Sequence, residues 1–208
     1  MIVTIGNSKG GVGKSTISCN LAVMAAQDGK NVLLVDADPQ ASSLNFRSIR
    51  ESDDIKATAI TTPTLHKDLK DFSNFDLIIV DSGGRDTGIF RSAILAADIL
   101  IIPVLPSVYD IWATSDTIEV VKEAMLFNEK LVTRFLINMV LPNSIMGRDT
   151  LAALEEHKEI PILHQTIGAR QSFKNALVTG QGVVEFEPKS KAAQEISGCY
   201  QEIMELGR

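Results

Sequence analysis

Residues 8–16 read SKGGVGKST, between an apolar run at 2–5, IVTI, and the stretch ISCNLAVMAA at 17–26, whose apolar residues recur at helical spacing. Three glycines lie between Lys9 and Lys14. Glycines let backbone N–H groups turn inward and approach an anion closely, and the start of the following helix adds its dipole. Lys14 supplies a point charge, and the hydroxyl of Ser15 can ligate magnesium. Gly13, Lys14 and Ser15 fall in P-loop register after a strand and before a helix, with Ser8 standing where a strict pattern has glycine.

Outward from this loop, NVLLVD (31–36), DLIIVD (76–81), DILIIPV (98–104) and TRFLINMV (133–140) are short β-branched runs separated by helix-length segments. LIIV and ILIIPV are apolar on consecutive residues, as expected of strands covered on both faces. The pattern predicts an α/β fold: a doubly wound, mostly parallel sheet flanked by helices on both faces. With no repeat, no low-complexity linker and no break in composition, one domain over 1–208 is expected. In such sheets ligands bind beyond the carboxyl ends of the strands, where residues 8–16 stand.

Two more strand ends carry carboxylates. The second strand closes with Asp36, Asp38 and Pro39, and the run DLIIVD with Asp81. A carboxylate after four apolar residues fits a group holding magnesium through water, or a cap on the next helix; Asp38 suits positioning of an attacking water, or a local turn. Gly83 and Gly84, just beyond Asp81, can swing a backbone N–H toward a γ-phosphate.

Composition limits the alternatives. The chain has 208 residues, 45% of them hydrophobic, and a formal net charge of -6. It is long enough to bury a substantial core, and any nucleic-acid surface must be a local cluster of Lys and Arg. Cys19 and Cys199 lack zinc or redox spacing and read as buried thiols, which fits a reducing cytoplasm. No signal peptide and no membrane-spanning run is read. His66, His157 and His164 show no ligand spacing, and Trp112 reads as packing.

KGGVGKST with the additional Lys9, followed by DADPQ, IIVD and PVLPSVYD, resembles the ParA family of partition ATPases with a deviant Walker A motif, over nearly the whole chain. The likeness is to the short, ParF-like members, since no helix-turn-helix precedes the first strand. It implies ATP and Mg2+ as cofactors, held by residues Lys9, Gly10, Gly11, Val12, Gly13, Lys14, Ser15 and Thr16. Lys9, Lys14 and Asp38 are implied in catalysis, and Ser15, Asp38 and, through water, Asp81 at the metal. Lys9 would cross a nucleotide-sandwich homodimer to the partner's phosphates. The resemblance further implies weak hydrolysis stimulated by a centromere-binding ParB-type adaptor, ATP-dependent binding to non-specific DNA, and a cytoplasmic, nucleoid-associated protein. Where many relatives carry two prolines after the strand-end Asp, this chain has Ser82, Gly83 and Gly84. Asn138 falls where relatives contact the base, and an amide can match adenine; a loop Asn with local partners is the alternative.

The segment 166–191 resembles the family's basic C-terminal region. Arg170 and Lys174 share a face if it is helical, and Lys189 and Lys191 begin the last helix, so the four could contact DNA phosphates or be ordinary surface charge. The leading function is an ATP switch partitioning a plasmid or chromosome origin. The alternatives are positioning of a protein cargo such as a carboxysome or chemosensory array, a MinD-like membrane cycle, disfavoured by the acidic QEIMELGR end, and a metabolic P-loop ligase.

Overall fold

The apolar runs become strands of one six-stranded sheet, all parallel, in the computed structural model, which describes residues 1–84, 87–141 and 145–208 and, of these, not the side chains of 87, 108–113 and 145–149. The strands are β1 (Ile2–Gly6), β2 (Val32–Asp36), β3 (Ile55–Ala59), β4 (Leu77–Ser82), β5 (Ile99–Val104) and β6 (Val132–Ile137), in the order β3-β2-β4-β1-β5-β6. β3 was not read from the sequence: IKATA is an edge strand with only Ile55 buried, so it lacks a continuous apolar run. β6 ends at Ile137, three residues short of the apolar pattern, and Asn138 lies just beyond it. Trp112, expected to pack, lies outside the described side chains.

Helices cover both faces. They are α1 (Lys14–Gln27), α2 (Ser42–Ile49), α3 (Leu65–Asp68), α4 (Thr87–Ala96), α5 (Val108–Met125), α6 (Ile145–Glu155), α7 (Gln171–Leu177), α8 (Val183–Phe186) and α9 (Lys191–Leu206). Alternate residues of one strand go to opposite sides. Leu77 and Ile79 pack with Ile17 and Leu21 of α1 and Ile196 and Ile203 of α9, while Ile78 and Val80 pack with Leu65, Ile89 and Ala93. Each such aliphatic side chain contributes about 1.5–3 kcal/mol on burial, which is why consecutive apolar residues read as a doubly covered strand.

Strand register sets the site. Ile5 pairs Asp81 and Gly6 pairs Ser82 across β1 and β4, while Asp36 pairs Asp81 across β2 and β4. The end of β1, where the glycine loop begins, therefore lies level with both strand-end carboxylates. Away from this edge, the buried Arg50 fixes α2 to α8: its guanidinium donates to both carboxylate oxygens of Asp54 and of Glu185, and to the Gly180 carbonyl at 3.0 Å. Losing one partner of such a buried pair typically costs ~3–5 kcal/mol. Among the described residues no helix is long and apolar enough to cross a membrane.

Candidate nucleotide site

The loop after β1 is held by its own sequence and by two distant elements. Gly13 caps α1 at φ 92, a left-handed conformation, and a Cβ there would sit 2.2 Å from the Asn138 amide nitrogen, so glycine is required twice over. Asn138, 3% exposed, donates to the Val12 carbonyl at 2.8 Å. At the loop's start the buried Asn7 donates to the Pro103 carbonyl and accepts the Lys9 N–H at 2.9 Å and the Thr117 hydroxyl at 3.0 Å. The Ser8 N–H donates back to the Thr117 hydroxyl at 3.1 Å, tying α5 to the loop.

Lys14, 8% exposed, donates from Nζ to the Lys9 carbonyl at 2.7 Å, arching over the loop. Burial lowers its pKa, with Asp81 and Asp38 pulling the other way. Gly10 and Gly11 are exposed at the tip, Ser15 and Thr16 are half-buried at the first turn of α1, and Lys9 is half-buried on the rim. Thr16, Ile17, Asn138 and Met139 wall a cavity of ≈ 220 Å³ beside the loop.

Asp81 is 1% exposed and accepts the Ser43 hydroxyl. Burial pushes its carboxyl up to about 6, against the Ser43 and Ser15 hydroxyls and Lys14, which hold it down. Asp36, also buried, accepts the Ser43 and Leu44 N–H groups at 2.8 and 3.0 Å, so it anchors the first turn of α2 and through it aims Ser43 at Asp81. Asp38 is half-buried, accepts the Gln40 N–H at 2.9 Å, and lies against Gly83: a Cβ there would be 2.8 Å from the Asp38 carboxyl. A Cβ at Gly84 would be 2.3 Å from the Ser8 carbonyl oxygen. The segment after β4 thus runs between Asp38 and the start of the loop, in contact with both, and only a residue without a side chain fits at Gly84.

A largely desolvated ammonium and a buried carboxyl therefore stand beside one glycine loop at the start of α1. A polyphosphate would relieve the first and a hydrated divalent cation the second, so the donor set fits the ATP–Mg2+ pair. The family comparison agrees: the model of the CobQ/CobB/MinD/ParA nucleotide binding domain matches residues 3–183. The chain belongs to that family. It is a ParA/MinD-type P-loop ATPase, as its motifs suggested. The "Maintenance of carboxysome distribution protein A" of Halothiobacillus neapolitanus is 32% identical, the match covering 97% of this chain and 95% of that protein. Among solved structures, the ATP complex of a Cyanothece McdA variant superposes with TM-score 0.80 at 19% identity, over 99% and 95% of the two chains. MinD of Pyrococcus horikoshii with Mg-ADP superposes with TM-score 0.78 at 20% identity, over 99% and 96%. These structures show the fold, the six-stranded parallel sheet with helices on both sides.

Of the two readings of Asn138, the amide nitrogen has a local partner, the Val12 carbonyl, while the residue also walls the cavity beside the loop. Two expectations change. Arg170 does not share a helix face with Lys174, because α7 begins at Gln171 and Arg170 is its extended N-cap. Its guanidinium lies against Glu195 of α9, donating from Nε at 2.8 Å and from Nη2 at 2.5 Å, so it is not a free phosphate contact. Lys189 precedes α9, separated from it by the cap Ser190, while Lys174, Lys189 and Lys191 are exposed. The sequence reading missed Asn7, Ser43 and Thr117. For Ser43 the signal was present, a Ser pair just past DADPQ, suited to a helix start. For Thr117 there was none.

The Asp81 carboxyl makes a prediction for the nucleotide-free protein. Its folded pKa lies above the ordinary 3.8, so the folded state keeps a proton that the unfolded chain has released. Stability then falls as pH rises from about 4 to about 6 and stays lower above that, by ~3 kcal/mol at 1.36 kcal/mol per unit. Asp81→Asn is expected to raise the melting temperature at pH 8 and to match wild type near pH 4, as thermal melts would show. Equal melting at pH 8 would contradict the assignment.

Proposed function

We propose that the chain, as a single ATPase domain over 1–208, is an ATP-driven dimeric switch that positions a large protein cargo. The observation that carries the switch is the segment of Gly83 and Gly84 touching both Asp38 and the Ser8 carbonyl, with Asp81 at its root. Lys14 and the N–H groups of residues 10–16 would hold phosphate oxygens, and Ser15 with Asp81, through water, would hold Mg2+, which when bound would supply charge stabilisation of the transferred phosphoryl. Asp38 orients the attacking water and takes its proton. A shift of the glycine segment on loss of the γ-phosphate is felt at once by the loop and by Asp38. Partner-stimulated turnover fits this arrangement, since a partner that moves the segment changes the catalytic carboxylate.

The cargo reading rests on the carboxysome-distribution relative, matched along almost the full length of both chains. It is supported over a plasmid or chromosome origin, the first expectation, and a cargo-bound partner protein replaces the ParB-type adaptor. Non-specific DNA serves as the track, bound by Lys174, Lys189 and Lys191, which are exposed near one another in sequence on α7 and at the start of α9. Each protomer offers few contacts, so doubling them by ATP-dependent dimerisation raises affinity steeply.

Lys9, on the loop rim, is the residue that senses the second protomer's nucleotide. Lys9→Ala is expected to bind ATP with near wild-type affinity but to remain monomeric, and so to lose DNA binding to unrelated duplexes. Light scattering and a salt series of DNA titrations check both. A Lys9→Ala dimer with ATP would remove Lys9 from the interface, and a wild-type ATP dimer indifferent to DNA would remove the track.

A further inference from the structure

The cavity beside the loop has a second wall that the phosphate chemistry does not use. Opposite Thr16, Ile17, Asn138 and Met139 it is lined by the segment 167–170 leading into α7, Arg170 included, and by Phe173 of α7 itself. This segment is stitched to the chain just past β6: the Ile167 N–H donates to the Ile137 carbonyl, the Val140 N–H to the Ile167 carbonyl, and the Ala169 N–H to the Val140 carbonyl, all at 2.9–3.0 Å. It belongs to no helix or strand, and side-chain bonds complete its fixing. Glu202 of α9 accepts the His164 and Gln165 N–H groups just before this segment, and a second carboxylate of α9 holds the part that lines the cavity. Glu195, on α9, accepts the Gly168 N–H at 3.1 Å and both guanidinium donors of Arg170, and the guanidinium lies against Gly168. Burial works to raise the Glu195 carboxyl, but the bonds from Arg170 and Gly168 outweigh it and hold it below the usual range, so it stays ionised.

We infer that Glu195 is a positioning residue for the base of the bound nucleotide: by clamping Arg170 and the Gly168 N–H, it holds the wall of the cavity into which the base fits beside Thr16. The inference rests on the ATP reading of the loop. The distance relations favour it. The cavity adjoins the first turn of α1, which the P-loop reading gives to phosphate, so a nucleoside attached to those phosphates reaches it directly. Its lining is mostly apolar, with two cations at its edge, Lys174 and the planar Arg170, and guanidinium groups stack on aromatic faces. The same clamp engages the Arg170 guanidinium with Glu195, and it joins α9 to the nucleotide site although no residue of α9 lines the cavity.

A base-positioning role separates ATP from a ligand that has the phosphates alone. Calorimetry with Mg2+ would compare ATP and inorganic tripolyphosphate on wild type and Glu195→Gln. Wild type is expected to prefer ATP, and Glu195→Gln to lose roughly tenfold in ATP affinity with tripolyphosphate binding unchanged. If Glu195→Gln does not fold, Arg170→Met, which keeps the Glu195 to Gly168 bond, carries the same comparison with the same expectation. Equal losses for both ligands make Glu195 merely structural and overturn the inference, as does no loss for either. If wild type binds tripolyphosphate as tightly as ATP, the cavity is no base site and the inference is overturned; if wild type binds neither, it is the ATP reading of the loop that fails.

Discussion

Lys14→Ala is expected to lose nucleotide affinity by ~10–10², for ATP and ADP alike, while the protein remains folded. The ammonium arches over the loop to the Lys9 carbonyl, where the P-loop register places the phosphates, so its removal deletes a charge-assisted contact of ~1.5–3 kcal/mol and unties the loop's span from Lys9 to Lys14. Folding is expected to survive because burial already works against the charged form of this side chain. Calorimetric titration with melting curves of the nucleotide-free variant checks both halves. Undiminished affinity would move phosphate recognition elsewhere on the chain.

Asp38→Ala is expected to separate binding from turnover. The carboxylate is half-buried against Gly83 and accepts the Gln40 N–H rather than an N–H of residues 8–16 among the described bonds, so ATP, Mg2+ and dimerisation should be retained. Hydrolysis should fall by ~10²–10³, the scale of removing one positioned proton acceptor or transition-state contact. Phosphate release under single-turnover conditions is the measurement. Wild-type turnover would assign the water to another group, and loss of ATP binding would make Asp38 a nucleotide ligand instead.

Much of this was legible before the structure because it is local. The P-loop, the consecutive apolar runs and the carboxylates closing β2 and β4 each lie within a few residues, and strand pairing then places Asp36 and Asp81 side by side. What was missed depends on distance or on partial burial. Thr117 reaches Asn7 across 110 residues, and nothing in a helical Thr announces a loop partner. Arg50 joins Glu185 over 135 residues. β3 buries only one of its five residues fully and so has no run of apolar side chains. Arg170 and Lys174 were read by helix spacing, yet the helix begins one residue later, and Glu195, 25 residues on, takes the guanidinium. Its neighbourhood carries acidic residues as well as basic ones, and the i, i+4 rule counts only one element.

The central claim is that ATP, and not ADP, joins two copies of this chain through a loop whose state is reported by the Gly83–Gly84 segment. Multi-angle light scattering of wild type with Mg2+ and ATP, ADP or no nucleotide tests it most directly. The account predicts a mass of two chains with ATP, stable for longer in Asp38→Ala, and a mass of one chain otherwise. A monomer under all three conditions, in wild type and in Asp38→Ala alike, would contradict it.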